Sequence, residues 1–147
     1  MILIRQSAAA KIAGLDRPVQ INEWIATGVY SDAPRTQQGK PRLFGEDDLV
    51  RLCLYASLER EGMDAKRVDE LVGKICKRLS EEPCAGVVTA SFGIDGEYTV
   101  VPAIVDASSV DVPGEPVFCT RHFDIAGLRR HVRNKMDEVA AEAQRRG

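Results

Sequence analysis

Between Arg35 and Arg42 the chain places Arg35, Lys40 and Arg42 with no acidic residue among them; Thr36 stands beside the first cation and Gly39 near the middle. Cations grouped around a glycine turn suit phosphate oxygens. Each phosphate they neutralise releases a condensed counterion, so such contacts are strong at low salt and weak at high salt. A second set comes earlier: Arg17, Gln20, Asn22 and Glu23. Gln and Asn amides match the major-groove edge of adenine, and Arg that of guanine. Arg5 and Lys11 are further candidates for backbone contact. A third set is Cys84, Cys119 and His122. Thiolate and imidazole suit zinc or copper, yet structural zinc sites show paired ligands, and here only Cys119 and His122 lie close in sequence. Neither a metal nor a cofactor is expected.

Elements must hold these groups in place. Ser7 is expected to cap a helix over Ala8–Ala13, where three alanines favour helix, and Gly14 to turn the chain out of it. Asp16 is expected to cap a second helix running to about Thr27, with Pro18 in its first turn and Val19, Ile21, Trp24 and Ile25 as its apolar residues. Val29–Tyr30 and Arg42–Phe44 then read as two short paired strands around a Gln37-Gln38-Gly39 tip. Trp24 and Phe44 are read as core. A third helix begins near Glu46, where three acids favour the positive end of the helix dipole, and ends at Gly62. Asp64 precedes a fourth over about Ala65–Leu79, with Val68, Leu71, Val72, Ile75 and Leu79 at helical spacing.

Past Pro83 the pattern changes. Gly86–Phe92 and Tyr98–Val105 read as strands around a Gly93-Ile94-Asp95-Gly96 turn, Asp106–Pro116 as a loop, and Val117–Thr120 as a third strand. Asp124 caps a last helix to about Gln144, whose apolar residues are Ile125, Leu128, Val132, Met136, Val139 and Ala143. The fold class is therefore α+β: a winged helix-turn-helix of four helices with a small wing over residues 1–80, then an antiparallel β segment and a helix over 84–147 that dimerises or receives a signal. Cys53 and Cys76 fall at apolar helix positions, where cysteine behaves as a small hydrophobe.

Composition sets bounds on this. The 147 residues suffice for one ordinary domain or two small ones, and 44% apolar with 29% charged residues is globular. The net charge of −2 argues against indiscriminate binding to nucleic acid, but the charge is segregated. Residues 1–79 carry 13 Lys+Arg against 11 Asp+Glu; residues 80–147 carry 7 against 11. Arg5 interrupts the apolar start too soon for a signal peptide, and no apolar run approaches the ~20 residues of a membrane span. A cytoplasmic protein with reduced thiols is expected.

Read together, these motifs resemble the DNA-binding region of the MerR family of bacterial regulators over about residues 3–79. Ala9-Ala10 with Ile12-Ala13-Gly14-Leu15 is similar to the family's first helix and turn, and Gln20-Ile21-Asn22-Glu23-Trp24 to its second-helix signature. Gly28-Val29, Arg35 and Gly39–Phe44 resemble the wing, Glu46–Leu52 the next helix start, and Gly62-Met63 that helix's end. The chain departs from the family at Asn22, where arginine is usual, and beyond Pro83, where a long dimerisation helix would follow. The resemblance implies duplex DNA as partner, with the wing on phosphates and the second helix in the major groove, in a homodimer. No enzyme is expected, since GxSxG, HExxH, P-loop and dinucleotide-binding patterns are all missing from the sequence. Two rival readings share the same residues. One is a protein-interaction module, an antitoxin or adaptor, whose acidic carboxy-terminal half holds a partner. The other is an excisionase-like architectural protein that bends DNA.

Overall fold

Two segments some forty residues apart in the chain make the first strand pair. In a computed structural model, which describes residues 2–93, 96–103 and 117–147, β1 (Ile4–Arg5) runs antiparallel to β2 (Leu43–Phe44), with Ile4 opposite Phe44 and Arg5 opposite Leu43. The expected pairing of β2 with Val29–Tyr30 does not form. The Tyr30 N–H is spent on the Trp24 carbonyl at 3.1 Å, and the pairing edge of β2 is taken by Ile4–Arg5. Tyr30 is drawn into the core instead, its ring stacked 4.7 Å from that of Tyr55.

The chain leaves β1 directly into α1 (Gln6–Ile12), so Ser7 lies inside the first turn and caps nothing; Arg5 is the cap residue and supplies no side-chain bond. At Gly14 (φ 76°) the Leu15 N–H reaches back to the Ala10 carbonyl at 2.8 Å, the six-to-one bond of a helix-ending turn. The second helix, α2, is Val19–Ala26 with Pro18 in the cap position, and Asp16 does not cap it. The α3 helix (Glu46–Arg60) starts where the Asp48 carboxylate accepts the Gly45 N–H at 2.9 Å, and α4 spans Ala65–Glu81. Both lie close to where they were expected, α3 from its acidic start and α4 from its helical spacing.

Past α4, β3 (Val87–Gly93), β4 (Tyr98–Ala103) and β5 (Val117–Asp124) form an antiparallel sheet in the order β4-β3-β5. Val88, Ala90 and Val100 are buried on one face. On the other, Thr89 Oγ1 lies 2.9 Å from His122 Nδ1 and Ser91 Oγ 3.3 Å from Thr120 Oγ1, which satisfies two buried hydroxyls. The β5 strand is longer than the Val117–Thr120 expected. The centre of the Gly93–Gly96 turn, the end of the second strand beyond 103 and the loop 106–116 lie outside the described residues. Asp124 Oδ1 accepts the Gly127 N–H at 2.9 Å, the cap expected for α5 (Ile125–Arg146). Among the described residues no helix is long and apolar enough to cross a membrane.

The chain divides into two compact units, one of residues 1–69 with 129–147, the other of residues 70–128. This differs from the expected division at residues 80–84, because both boundaries fall inside α4 and α5. The end of α5 belongs to the first unit: His131 Nε2 lies 3.1 Å from the Ile12 carbonyl, and Arg133 Nε pairs with Glu46 at 2.9 Å. Within that unit α1 contacts α3 and β2. Its core includes Ile4, Ile21, Trp24, Tyr30, Phe44, Leu52 and Tyr55.

Cys53 belongs to this core, its Sγ 3.9 Å from the Ile12 carbonyl, and burial pushes its thiol from 9.0 up to about 11. Cys84 and Cys119 are exposed. At pH 8 a thiol reagent is therefore expected to modify Cys84 and Cys119 in the native protein and to reach Cys53 only on unfolding. Equal rates at Cys53 and Cys84 would refute this burial. Because the folded protein holds the Cys53 proton more tightly, the stability it contributes is complete below pH 9 and is lost as pH rises through about 11. Tyr55, raised by burial and by its bond to Asp69, shifts in the same direction. Urea midpoints should fall over this range, and less steeply in Cys53→Ala.

Candidate nucleic-acid interface

The α2 helix buries Ile21 and Trp24, three residues apart, and turns Asn22, Glu23 and Ala26 to solvent. Val19, expected among its apolar contacts, is 43% exposed. The period explains this: two residues before Ile21 is about 200° around a helix, on the opposite side. An aliphatic group beside polar ones is the type that meets a thymine methyl.

The polar residues of this face are partly engaged with one another. Gln20 is half-buried, and its Oε1 reaches back to accept the Arg17 N–H at 3.2 Å, ahead of the cap residue Pro18. Asn22 Oδ1 accepts from Gln6 Nε2 at 3.1 Å, and the same nitrogen donates to the Pro18 carbonyl at 3.2 Å. Gln6 is thus a member of the site that sequence reasoning missed. No periodicity signals a contact across sixteen positions of chain.

Arg17 pairs with Glu23 at 3.6 Å, with both side chains more than half exposed. Such pairs are worth about 0–1 kcal/mol, so the arginine is easily released. Were this face to meet a DNA duplex, Glu23→Gln would tighten binding roughly threefold to tenfold at 100 mM salt by removing an acid beside a polyanion. Fluorescence anisotropy reads this, and weaker binding by the variant would show that Glu23 faces no phosphate.

The segment from Ser31 to Arg42 is braced by side chains instead of a strand ladder. The Lys40 N–H donates to the Gln37 carbonyl at 3.0 Å around Gly39 (φ 80°), so the tip forms where expected. Thr36 Oγ1 donates to the Lys40 carbonyl at 2.9 Å. Arg42, half-buried, donates to the Pro34 carbonyl, closing the two limbs of the loop. At its base Arg51 pairs with Asp32 at 3.0 Å, and the Ser31 hydroxyl donates to the Asp69 carboxylate at 2.8 Å. The Tyr55 hydroxyl donates to that same carboxylate.

Arg42 and Thr36 are therefore occupied in holding the loop. The side chains of Arg35 and Lys40 are exposed, and neither the guanidinium nor the ammonium has a hydrogen bond or ion pair among the described residues. Arg5 and Lys11 are exposed as well. All of these residues, with α2, belong to the first unit. A groove of about 580 Å³ in the same unit lies between α1 and the end of α5, with Lys11, Lys135 and Arg146 set against Glu138 and Glu142.

In the second unit Cys84 and Cys119 are exposed free thiols, and His122 is bonded to Thr89. Among the described residues no three His, Cys, Asp or Glu side chains are grouped as metal ligands. No protein-family model matches this chain, and no curated protein does.

Proposed function

We propose that the chain is a sequence-reading, duplex-DNA-binding regulator of transcription, a winged helix-turn-helix of the kind found in the MerR family. In this reading Arg35 and Lys40 grip phosphates from the loop, and α2 lies in the major groove with Arg17, Asn22 and Glu23 toward the bases. Two copies pair to address a two-fold site. The observation that carries the reading is the state of Arg35 and Lys40. They are two uncommitted cations on a loop that Ser31, Asp32, Thr36 and Arg42 brace through bonds within the chain, in the same unit as an exposed polar helix face. A loop braced in this way presents its cations without the ordering cost of a free one.

The test is anisotropy of a labelled 30-base-pair duplex over a salt series. Binding at 50 mM salt is expected, with log affinity falling linearly in log salt by about 0.9 per phosphate engaged. No binding at 50 mM salt would overturn the proposal. Co-purification of a stoichiometric protein, with no duplex bound, would instead support the interaction-module reading; the engagement of Arg17 and Arg42 within the chain is the observation in its favour.

A further inference from the structure

The Gln6–Asn22 contact has a definite polarity. The Pro18 carbonyl can only accept a hydrogen bond, so the Gln6 atom 3.2 Å from it is the amide nitrogen. That same nitrogen lies 3.1 Å from the Asn22 amide, whose near atom must then be oxygen. The Asn22 oxygen is engaged by Gln6 of α1, which leaves its NH2 group without a bond among the described residues, on an exposed residue of α2. An asparagine free to turn can offer donor and acceptor together, which is the bidentate match to adenine. Asn22 is not free in this sense. Gln6, half-buried at the first position of α1 and held by a second bond to the backbone, fixes which end faces out.

We propose that Gln6 is a positioning residue for Asn22, and that the pair presents an amide donor that favours guanine, whose edge offers the two acceptors N7 and O6, over adenine and cytosine, whose edges carry an amino donor, at one position per bound copy. This inference rests on the DNA-reading proposal and gives it a specificity. Glu23 lies beside Asn22 on the same helix and offers only acceptors, so it cannot supply the same preference.

The full-length protein is incubated with a duplex library randomised over fourteen base pairs, and retained sequences are counted for wild type, Asn22→Asp and Gln6→Ala. Wild type is expected to enrich guanine about tenfold at one position of the motif. Asn22→Asp still accepts the Gln6 bond but turns a carboxylate oxygen outward. Its guanine enrichment should vanish, with cytosine taking its place through the N4 donor. Gln6→Ala releases Asn22, so adenine should rise at that position to equal guanine while the rest of the motif stays unchanged. A role confined to folding would weaken binding to all sequences alike without altering the motif. An unchanged motif in Gln6→Ala overturns the positioning role, and a wild-type motif indifferent to Asn22→Asp overturns the pair altogether; in both cases the DNA-reading proposal stands. Retention of no duplex by wild type overturns that proposal and the pair with it.

Discussion

Phe44→Ala is expected to lower the free energy of unfolding by about 3–5 kcal/mol, the range for emptying a fully enclosed phenylalanine site. Phe44 has no exposed surface, lies opposite Ile4 and ends the strand one residue before α3 begins. Both α1 and α3 touch β2, so the cavity has rigid walls and relaxes little. A loss of this size is a large share of the 5–15 kcal/mol typical of a whole domain. Urea unfolding followed by Trp24 fluorescence measures it. The control is Leu43→Ala, on the exposed side of the same strand, where about 0.5 kcal/mol or less is expected. Equal losses at the two positions would contradict this account of β2.

The double variant Arg35→Ala/Lys40→Ala is expected to reduce the slope of log affinity against log salt by about 1.8, since each phosphate contact contributes roughly 0.9. At 150 mM salt this corresponds to a loss in duplex affinity on the order of tenfold to a hundredfold. Arg42→Ala should behave differently. Its guanidinium closes the loop onto the Pro34 carbonyl, so its removal should cost about 1 kcal/mol of stability and change the slope by less than one contact. If Arg42→Ala flattened the slope more than the double variant, the assignment of roles within the loop would be reversed.

Which parts of this were legible in the sequence follows from the range of the forces involved. The positions of α3 and α4 could be read from Leu49, Leu52, Val68, Leu71, Val72 and Ile75, because apolar spacing is a local record of burial. The turns at Gly14 and Gly39 were legible for a similar reason: both sit at positive φ, which favours glycine. Trp24 and Phe44 were read as core by size and are buried. The partner of β2 was not legible, since pairing depends on what lies near in space, and a two-residue strand such as Ile4–Arg5 carries no period. Nor was the engagement of Arg42 and Asn22, whose partners Pro34 and Gln6 announce themselves only once the backbone is placed. Side-chain types told what chemistry was available, and the hydrogen bonds decided how much of it remained uncommitted.

The discontinuity of the first unit also sets an order of events during synthesis. Residues 1–69 emerge from the ribosome first, but the unit they belong to includes residues 129–147. At about 5–20 residues per second, the intervening stretch Glu70–Leu128 takes roughly 3–12 s to make. Throughout that interval the Ile12 carbonyl and Glu46 stand without His131 and Arg133. Helices α1 and α3 are thus translated early and receive these α5 contacts last.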